Sequence, residues 1–200
     1  MGSSKRYKES PSQTAGPYVH IGCTPNFVDV QGVYSADLGV GPNADFDGNL
    51  QGADMSGERI TITGQIYDGA GGLVTDAMVE TWQTDAQGQY PAADAAFSGW
   101  ARQACDLTTG VFTFQTIKPG CIATSTDRQS PHVSIWIVAR GINLGLHTRI
   151  YFADEDNSAD PVLALIEPSR RQTLIASQQG GAYVFNVRLQ GENETVFFDL

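Results

Sequence analysis

Apolar side chains recur at every second position over several stretches of this chain. Ile60, Ile62 and Ile66 alternate with Arg59, Thr61, Thr63 and Gln65. That period of two predicts a strand with one buried face. The run ends at Asp68-Gly69-Ala70-Gly71-Gly72, a composition that turns the chain. Val133, Ile135, Ile137 and Ala139 alternate in the same way with His132, Ser134, Trp136, Val138 and Arg140. Further strands are expected over 77–83, 111–117, 148–152, 173–176, 182–189 and 195–198, and Gln178-Gln179-Gly180-Gly181 makes the last long pair a hairpin. Asp160-Pro161 reads as N-cap and first helical residue of one short helix through Ile166. Residues 1 to 20 form a polar arm, and 35–57 an irregular, glycine-rich stretch. The pattern predicts an all-β fold, an antiparallel β-sandwich with long loops, as a single domain over 21–200.

Composition narrows the partners. Twenty-two acidic residues against twelve basic ones give a net charge of −10, which opposes nucleic acid and anionic membranes. No apolar run approaches the roughly 20 residues of a membrane span, and the first residues lack the apolar core of a secretion signal. Cys23, Cys105 and Cys121 are odd in number and irregularly spaced, as expected of reduced thiols in a cytoplasm. At 200 residues the chain can bury a core without disulfide or metal.

Candidate chemistry is sparse. Asn43-Ala44-Asp45-Phe46-Asp47-Gly48, with Asp54 beyond, resembles a calcium loop, but glycine, proline and a strand stand where its two helices should be. It reads as a solvated loop. The glycines after Asp68 lack the Lys-Ser/Thr and helix of a phosphate cradle, and read as a hairpin turn. His132 opens a strand, and Ser134, two residues on, faces the same way. That is the geometry of a metal pair, yet serine is a poor ligand. The residues alone leave three options: half a site, the remains of one, or a polar strand end.

One constellation is more specific. Ile62-Thr63-Gly64-Gln65-Ile66 is followed by Gly71, Val74, Val79-Glu80-Thr81-Trp82-Gln83 and Asp85-Ala86-Gln87-Gly88-Gln89-Tyr90. Phe112, Lys118-Pro119-Gly120, Pro131 and Ser134 continue it. This series resembles the intradiol ring-cleaving dioxygenases over almost the whole chain from about residue 10, with Thr81 a small departure where an apolar residue is usual. "PSQTAGPYVHIG" (11–22), "ARGINLGLHTRIYF" (139–152) and "GENETVFFDL" (191–200) resemble the non-iron chain of the two-chain members that act on protocatechuate.

Catalytic members of that family hold a ferric ion with two tyrosines and two histidines, hard phenolate oxygens suiting a hard ion. The resemblance places those positions on Tyr90, Ile122, His132 and Ser134. One phenolate and one imidazole are missing, and neither the soft thiol of Cys121 nor His20 or His147 matches a ligand position. The resemblance therefore implies vestigial positions, no metal and no catalytic residue of this chain's own, and Fe(3+) held by a partner beta chain. The implied reaction is O2-dependent cleavage of protocatechuate to 3-carboxy-cis,cis-muconate, in the beta-ketoadipate route of aromatic catabolism, by a hetero-oligomer of alpha-beta protomers. Substrate contacts are expected from the arm, at Thr14, Gly16, Pro17 and Tyr18, and from Arg140, whose planar fork suits a carboxylate. Trp136, Val138 and Val196-Phe197-Phe198 are expected to face the partner. The alternatives are a self-sufficient metalloenzyme with substituted ligands and a metal-free, transthyretin-like sandwich serving as a binding or scaffold module.

Overall fold

The computed structural model describes residues 13–16, 19, 23, 50, 55–91, 97–125 and 127–199. Pro17, Tyr18, His20 and nearly all of the calcium-like loop lie outside the described residues. The long strands form where the period of two predicts them: β1 (Arg59–Tyr67), β2 (Met78–Trp82), β4 (Val111–Ile117), β7 (His132–Val138) and β8 (Leu146–Phe152). Between them lie β3 (Trp100–Ala104) and the short pair β5 (Ile122–Ala123) and β6 (Arg128–Gln129). Beyond β8 come two short helices, α1 (Pro161–Ala164) and α2 (Pro168–Arg171), then β9 (Ile175–Gln179), β10 (Ala182–Val184) and β11 (Val187–Arg188).

The fold is all-β and predominantly antiparallel, as expected, with a few short parallel pairings. β1 pairs antiparallel with β4 and parallel with both β10 and β11, and β8 pairs parallel with β9. The hydrogen-bonded path runs from β1 through β10, β9, β8, β7 and β2 to β3. It nearly closes: Gln103 Oε1 on β3 accepts a hydrogen bond from the Thr113 N–H on β4. Inside lies one apolar core that includes Ile62, Ile66, Phe112, Phe114, Val133, Ile135, Ile137, Ile150 and Phe152, all nearly inaccessible to water. Each such side chain contributes roughly 1.5–3 kcal/mol on burial. A second, smaller core of Tyr151, Leu163 and Leu174 lies apart from it, with Val196 and Phe198 packed on it.

Three local expectations fail for identifiable reasons. The strand expected over 182–189 breaks after Val184, because the chain there closes onto Gly64. A Cβ on Gly64 would fall 1.8 Å from the Phe185 carbonyl oxygen, and Asn186 Oδ1 takes the hydrogen bond of the Gln65 N–H. Thr173 and Leu174 lie in a 3-10 turn that continues α2 instead of in a strand. Residues 195–198 make only an isolated bridge, Phe198 to His147. The hairpin at Gly180-Gly181 forms, with both glycines at positive φ as a two-residue turn demands. Asp160 caps α1, accepting from the Val162 and Leu163 N–H groups, although the helix stops at Ala164.

Candidate functional site

In an antiparallel pair, residues directly opposite share a face. The register of β7 with β8 therefore sets His132 beside Tyr151, Ser134 beside Arg149 and Trp136 beside His147. β2 adds Trp82 beside Ser134 on the other flank. This polar and aromatic row lies on the side of the sheet away from Val133, Ile135 and Ile137. Tyr90 reaches the same place from its turn, its ring stacked on Trp82 with centroids 5.7 Å apart. Gly88 makes that approach possible. It sits at φ +77°, and a Cβ there would fall 1.9 Å from the Cys121 carbonyl oxygen. The Gly120 N–H donates to the Asp85 carbonyl at 2.8 Å, so the Tyr90 turn and the segment leading to Ile122 are clamped together. Tyr90 is thus joined to Ser134 through Trp82, and its turn to the segment that leads to Ile122.

Their states differ. Tyr90 is half exposed, while His132 is only 4% exposed. Its Nδ1 lies 2.8 Å from the Ser130 carbonyl oxygen, so Nδ1 carries the proton. Burial, and then the Arg149 charge, push its pKa from 6.5 down to about 4. A base whose folded pKa lies below its unfolded value contributes stability that is full above about pH 6.5 and lost as the pH falls toward 4. The whole contribution is about 3 kcal/mol, of which about 2 kcal/mol is gone by pH 5. Urea midpoints should therefore fall between pH 7 and pH 5 in the native chain and fall less in His132→Gln. Equal slopes in the two chains would place the acid sensitivity elsewhere.

Arg149 and Tyr151 were not singled out by sequence, since one arginine on a strand reads as a solvated side chain. The structure turns this guanidinium inward along the row. Arg149 Nη1 donates to Gln129 Oε1 at 2.8 Å and lies 3.4 Å from the Tyr151 hydroxyl. The Tyr151 hydroxyl, its own pKa raised by burial to about 12, donates to Asp160 Oδ1. Tested against a ferric ion, this set does not fit. Ile122 and Ser134 offer no phenolate and no imidazole, and the residue across the strand pair from Ser134 is an arginine, not a ligand. Among the described residues no group of three or more His, Cys, Asp or Glu side chains is placed to hold a metal.

Arg140 shares the strand face of His132 but stands eight residues farther along, roughly 26 Å away at strand rise. Its surroundings are a groove of about 510 Å³ whose walls include Leu73, Asp76, Ile142, Leu146, Leu189 and Gln190. Arg140 Nε lies 3.3 Å from Asp76 Oδ2, and the arginine side chain is two-thirds exposed. The arm reaches this groove: Ala15 bridges Arg140, and Thr14 Oγ1 accepts the Gly141 N–H at 2.8 Å. Among the described residues nothing lies within 4 Å of where a Gly16 Cβ would stand. Thr14, Gly16 and Arg140 are therefore brought together, and they are separated from the vestigial positions.

The apolar surface expected to face a partner is only partly there. Trp136 and Val138 are half-buried, with the Trp136 ring lying over Gly145 and beside His147. Val196 and Phe198 pack on the smaller core, and Phe197 on the larger one. The large apolar groups that do face water include Trp82, Leu107, Leu144 and Leu165. No helix among the described residues is long and apolar enough to cross a membrane. Cys23, Cys105 and Cys121 are free thiols, and burial pushes that of Cys105 up to about 12.

Comparison with known proteins shows the family. The family model described as "Dioxygenase" matches residues 33–191. The chain is 45% identical to the protocatechuate 3,4-dioxygenase alpha chain of Pseudomonas putida, over 96% of each protein. It is 39% identical to the alpha chain of Burkholderia cepacia, over 96% of this chain and 98% of that one. To the beta chain of Burkholderia cepacia the identity is 29%, over 73% of this chain and 70% of the other. Among solved structures, the intradiol ring-cleavage dioxygenase from Tetranychus urticae aligns with 73% of this chain and 87% of its own, at a TM-score of 0.56 and 16% identity. Long alignments to alpha chains and the match of the family model over most of the chain lead to one conclusion: this chain belongs to the intradiol ring-cleavage dioxygenase family, on its alpha-chain side.

Proposed function

We propose that this chain is the non-iron alpha subunit of a protocatechuate 3,4-dioxygenase, and that it completes the substrate cleft of a beta subunit carrying Fe(3+). The observation that carries the reading is the separation of the two regions. The groups suited to an aromatic acid, Arg140 and the arm residues Thr14 and Gly16, gather about a groove that this chain's own vestigial positions do not reach. A cleft completed by a second chain gives that groove a use. The ferric ion of the partner would supply the Lewis acidity that activates a catecholate toward O2. The tasks of this chain are then to position and to neutralise.

Arg140 is suited to both. Asp76 engages Nε, and among the described residues this leaves the terminal nitrogens of the fork for a benzoate carboxylate. Apolar groove residues such as Leu73, Ile142 and Leu189 can flank the aromatic ring. Pro17 and Tyr18 enter the proposal as substrate contacts by resemblance alone. Alpha-beta protomers then assemble into a larger hetero-oligomer in the cytoplasm, where free thiols stay reduced.

The test is to express the chain with and without the beta subunit, separate the chains of the complex, and measure iron and protocatechuate cleavage in each. Iron and the visible tyrosinate-to-iron band should travel with the beta subunit. The alpha chain alone should be colourless and cleave no catechol. Near one iron per alpha chain, with the band, would overturn the reading.

A further inference from the structure

We propose that Asp76 is a positioning residue of the substrate groove: its carboxylate holds Arg140 by Nε and aims the two terminal nitrogens of the fork at the carboxylate of an aromatic acid. The inference rests on the reading above that Arg140 meets that carboxylate, and it names the residue that makes the arginine ready for it.

The placement of Asp76 follows from strand register. β2 and β7 pair antiparallel, with Trp82 opposite Ser134 and Met78 opposite Val138. Continued two residues past Met78, the same register brings Asp76 opposite Arg140, on a shared face. The two meet there, with Arg140 Nε 3.3 Å from Asp76 Oδ2. The backbone beside Asp76 is fixed, because Ala77 is fully buried and its carbonyl accepts the Cys105 N–H at 2.9 Å. The backbone at Arg140 is fixed from the other side by the arm, through the bridge to Ala15 and the Gly141 N–H donated to Thr14 Oγ1. Exposure divides the pair: the Asp76 side chain is 17% exposed, and that of Arg140 67%. The carboxylate is thus the seated member, and the guanidinium is the one open to the groove of about 510 Å³.

An exposed arginine loses rotamer freedom when a ligand orders it, at a cost equivalent to roughly a three- to ten-fold loss of affinity. A partner that already holds Nε removes part of that cost before the substrate arrives. Nε lies on the stem side of the planar guanidinium, so a carboxylate there leaves the terminal pair able to make two parallel hydrogen bonds to a second carboxylate. Among the described residues Asp76 is the one acid in an ion pair with Arg140. Its negative charge works the other way, since it offsets part of the attraction for a second anion. Position and charge therefore act in opposite directions, and asparagine separates them. It has the shape of aspartate, its carbonyl oxygen still accepts from Nε, and it carries no charge.

The test measures kcat and KM for protocatechuate and for catechol on the alpha-beta complex with wild-type alpha chain, Asp76→Ala and Asp76→Asn, each with Arg140 in place and with Arg140→Ala. With Arg140 in place, Asp76→Ala should raise KM for protocatechuate roughly three- to ten-fold at unchanged kcat, since the contact is made in the bound substrate and the transition state alike. Asp76→Asn should return KM to the wild-type value or below it. Catechol, which has no carboxylate, should not distinguish the three chains, and neither should protocatechuate once Arg140→Ala is present. Asp76→Ser, too short to reach Nε, replaces the alanine variant if that one fails to assemble. The inference is overturned if Asp76→Ala leaves KM for protocatechuate unchanged or lowers it, which would make Asp76 a bystander or a competitor for the fork. It is equally overturned if asparagine recovers none of what alanine loses, or if the alanine and asparagine variants still differ without Arg140. A KM for protocatechuate that does not rise in Arg140→Ala alone would instead defeat the underlying reading, so the two failures are told apart.

Discussion

Replacing Arg140 with alanine is expected to lower kcat/KM for protocatechuate by roughly ten- to a hundred-fold in the complex with the beta subunit, while catechol is cleaved as before. The magnitude is that of one hydrogen bond to a charged group, on the order of 1.5–3 kcal/mol. Catechol lacks the carboxylate, so the loss should be confined to the acid. Assembly and iron content should persist, because Arg140 is two-thirds exposed and its ion pair with Asp76, the one it makes among the described residues, is open to water on the arginine side and worth about 1 kcal/mol. Arg140→Lys should recover only part of the loss, since a point charge cannot reproduce the fork. The measurement is kcat/KM for both substrates, with iron determined in each preparation. An equal fall for the two substrates, or loss of assembly, would make Arg140 structural; no change would put it outside the cleft.

The contrast between Arg140 and Arg149 shows what a sequence can display of such a site. Arg140 was accessible because it follows a strand whose apolar alternation is unmistakable, and because residues 139–152 resemble a known kind of chain. Its relation to the arm was not accessible: a bridge between Ala15 and Arg140 spans most of the chain and has no local signature. Arg149 lies in the same matched segment, yet a charged residue on a half-buried strand is ordinarily solvated. Only the register of β7 with β8 shows that it faces Ser134. Register is set by non-local packing and turn geometry, which residue patterns carry weakly.

The same reasoning explains which elements were read. β1, β4 and β7 are rich in isoleucine, valine and phenylalanine at alternate positions, and each was placed within a residue or two. β3, by contrast, is Trp-Ala-Arg-Gln-Ala. It has no β-branched residue, and it becomes a strand because β2 pairs with it along its whole length and because Gln103 reaches β4. The parallel partners of β1 fall inside the strand expected over 182–189, and the break between them has a related cause. β10 and β11 are three and two residues long, and the break between them follows from the Phe185 backbone closing on Gly64. Tertiary contacts decide such elements, not their own propensities.

The mouth of β7 depends on a carboxylate that sequence placed only as a helix cap. Asp160 is 1% exposed and accepts from the Val162 and Leu163 N–H groups, from the Tyr151 hydroxyl and, through Oδ2, from the Ser130 N–H at 2.8 Å. It therefore ties α1 to the strand end that presents His132 and to the tyrosine beside Arg149. Asp160→Ala should destabilise the chain by about 3–7 kcal/mol: about 1 for the lost cap, and about 1–3 for each of the two other donors, the Tyr151 hydroxyl and the Ser130 N–H, left without a partner. A loss of that size is a large fraction of a domain's stability. Asp160→Asn should cost roughly half as much, because its single carbonyl oxygen can still cap α1 while the Ser130 N–H would face an amide NH2. Urea unfolding of the three chains at pH 7, followed by far-UV circular dichroism, measures this. A loss below about 1 kcal/mol in the alanine variant would show that water replaces the carboxylate, and that α1 holds the end of β7 through its apolar contacts alone.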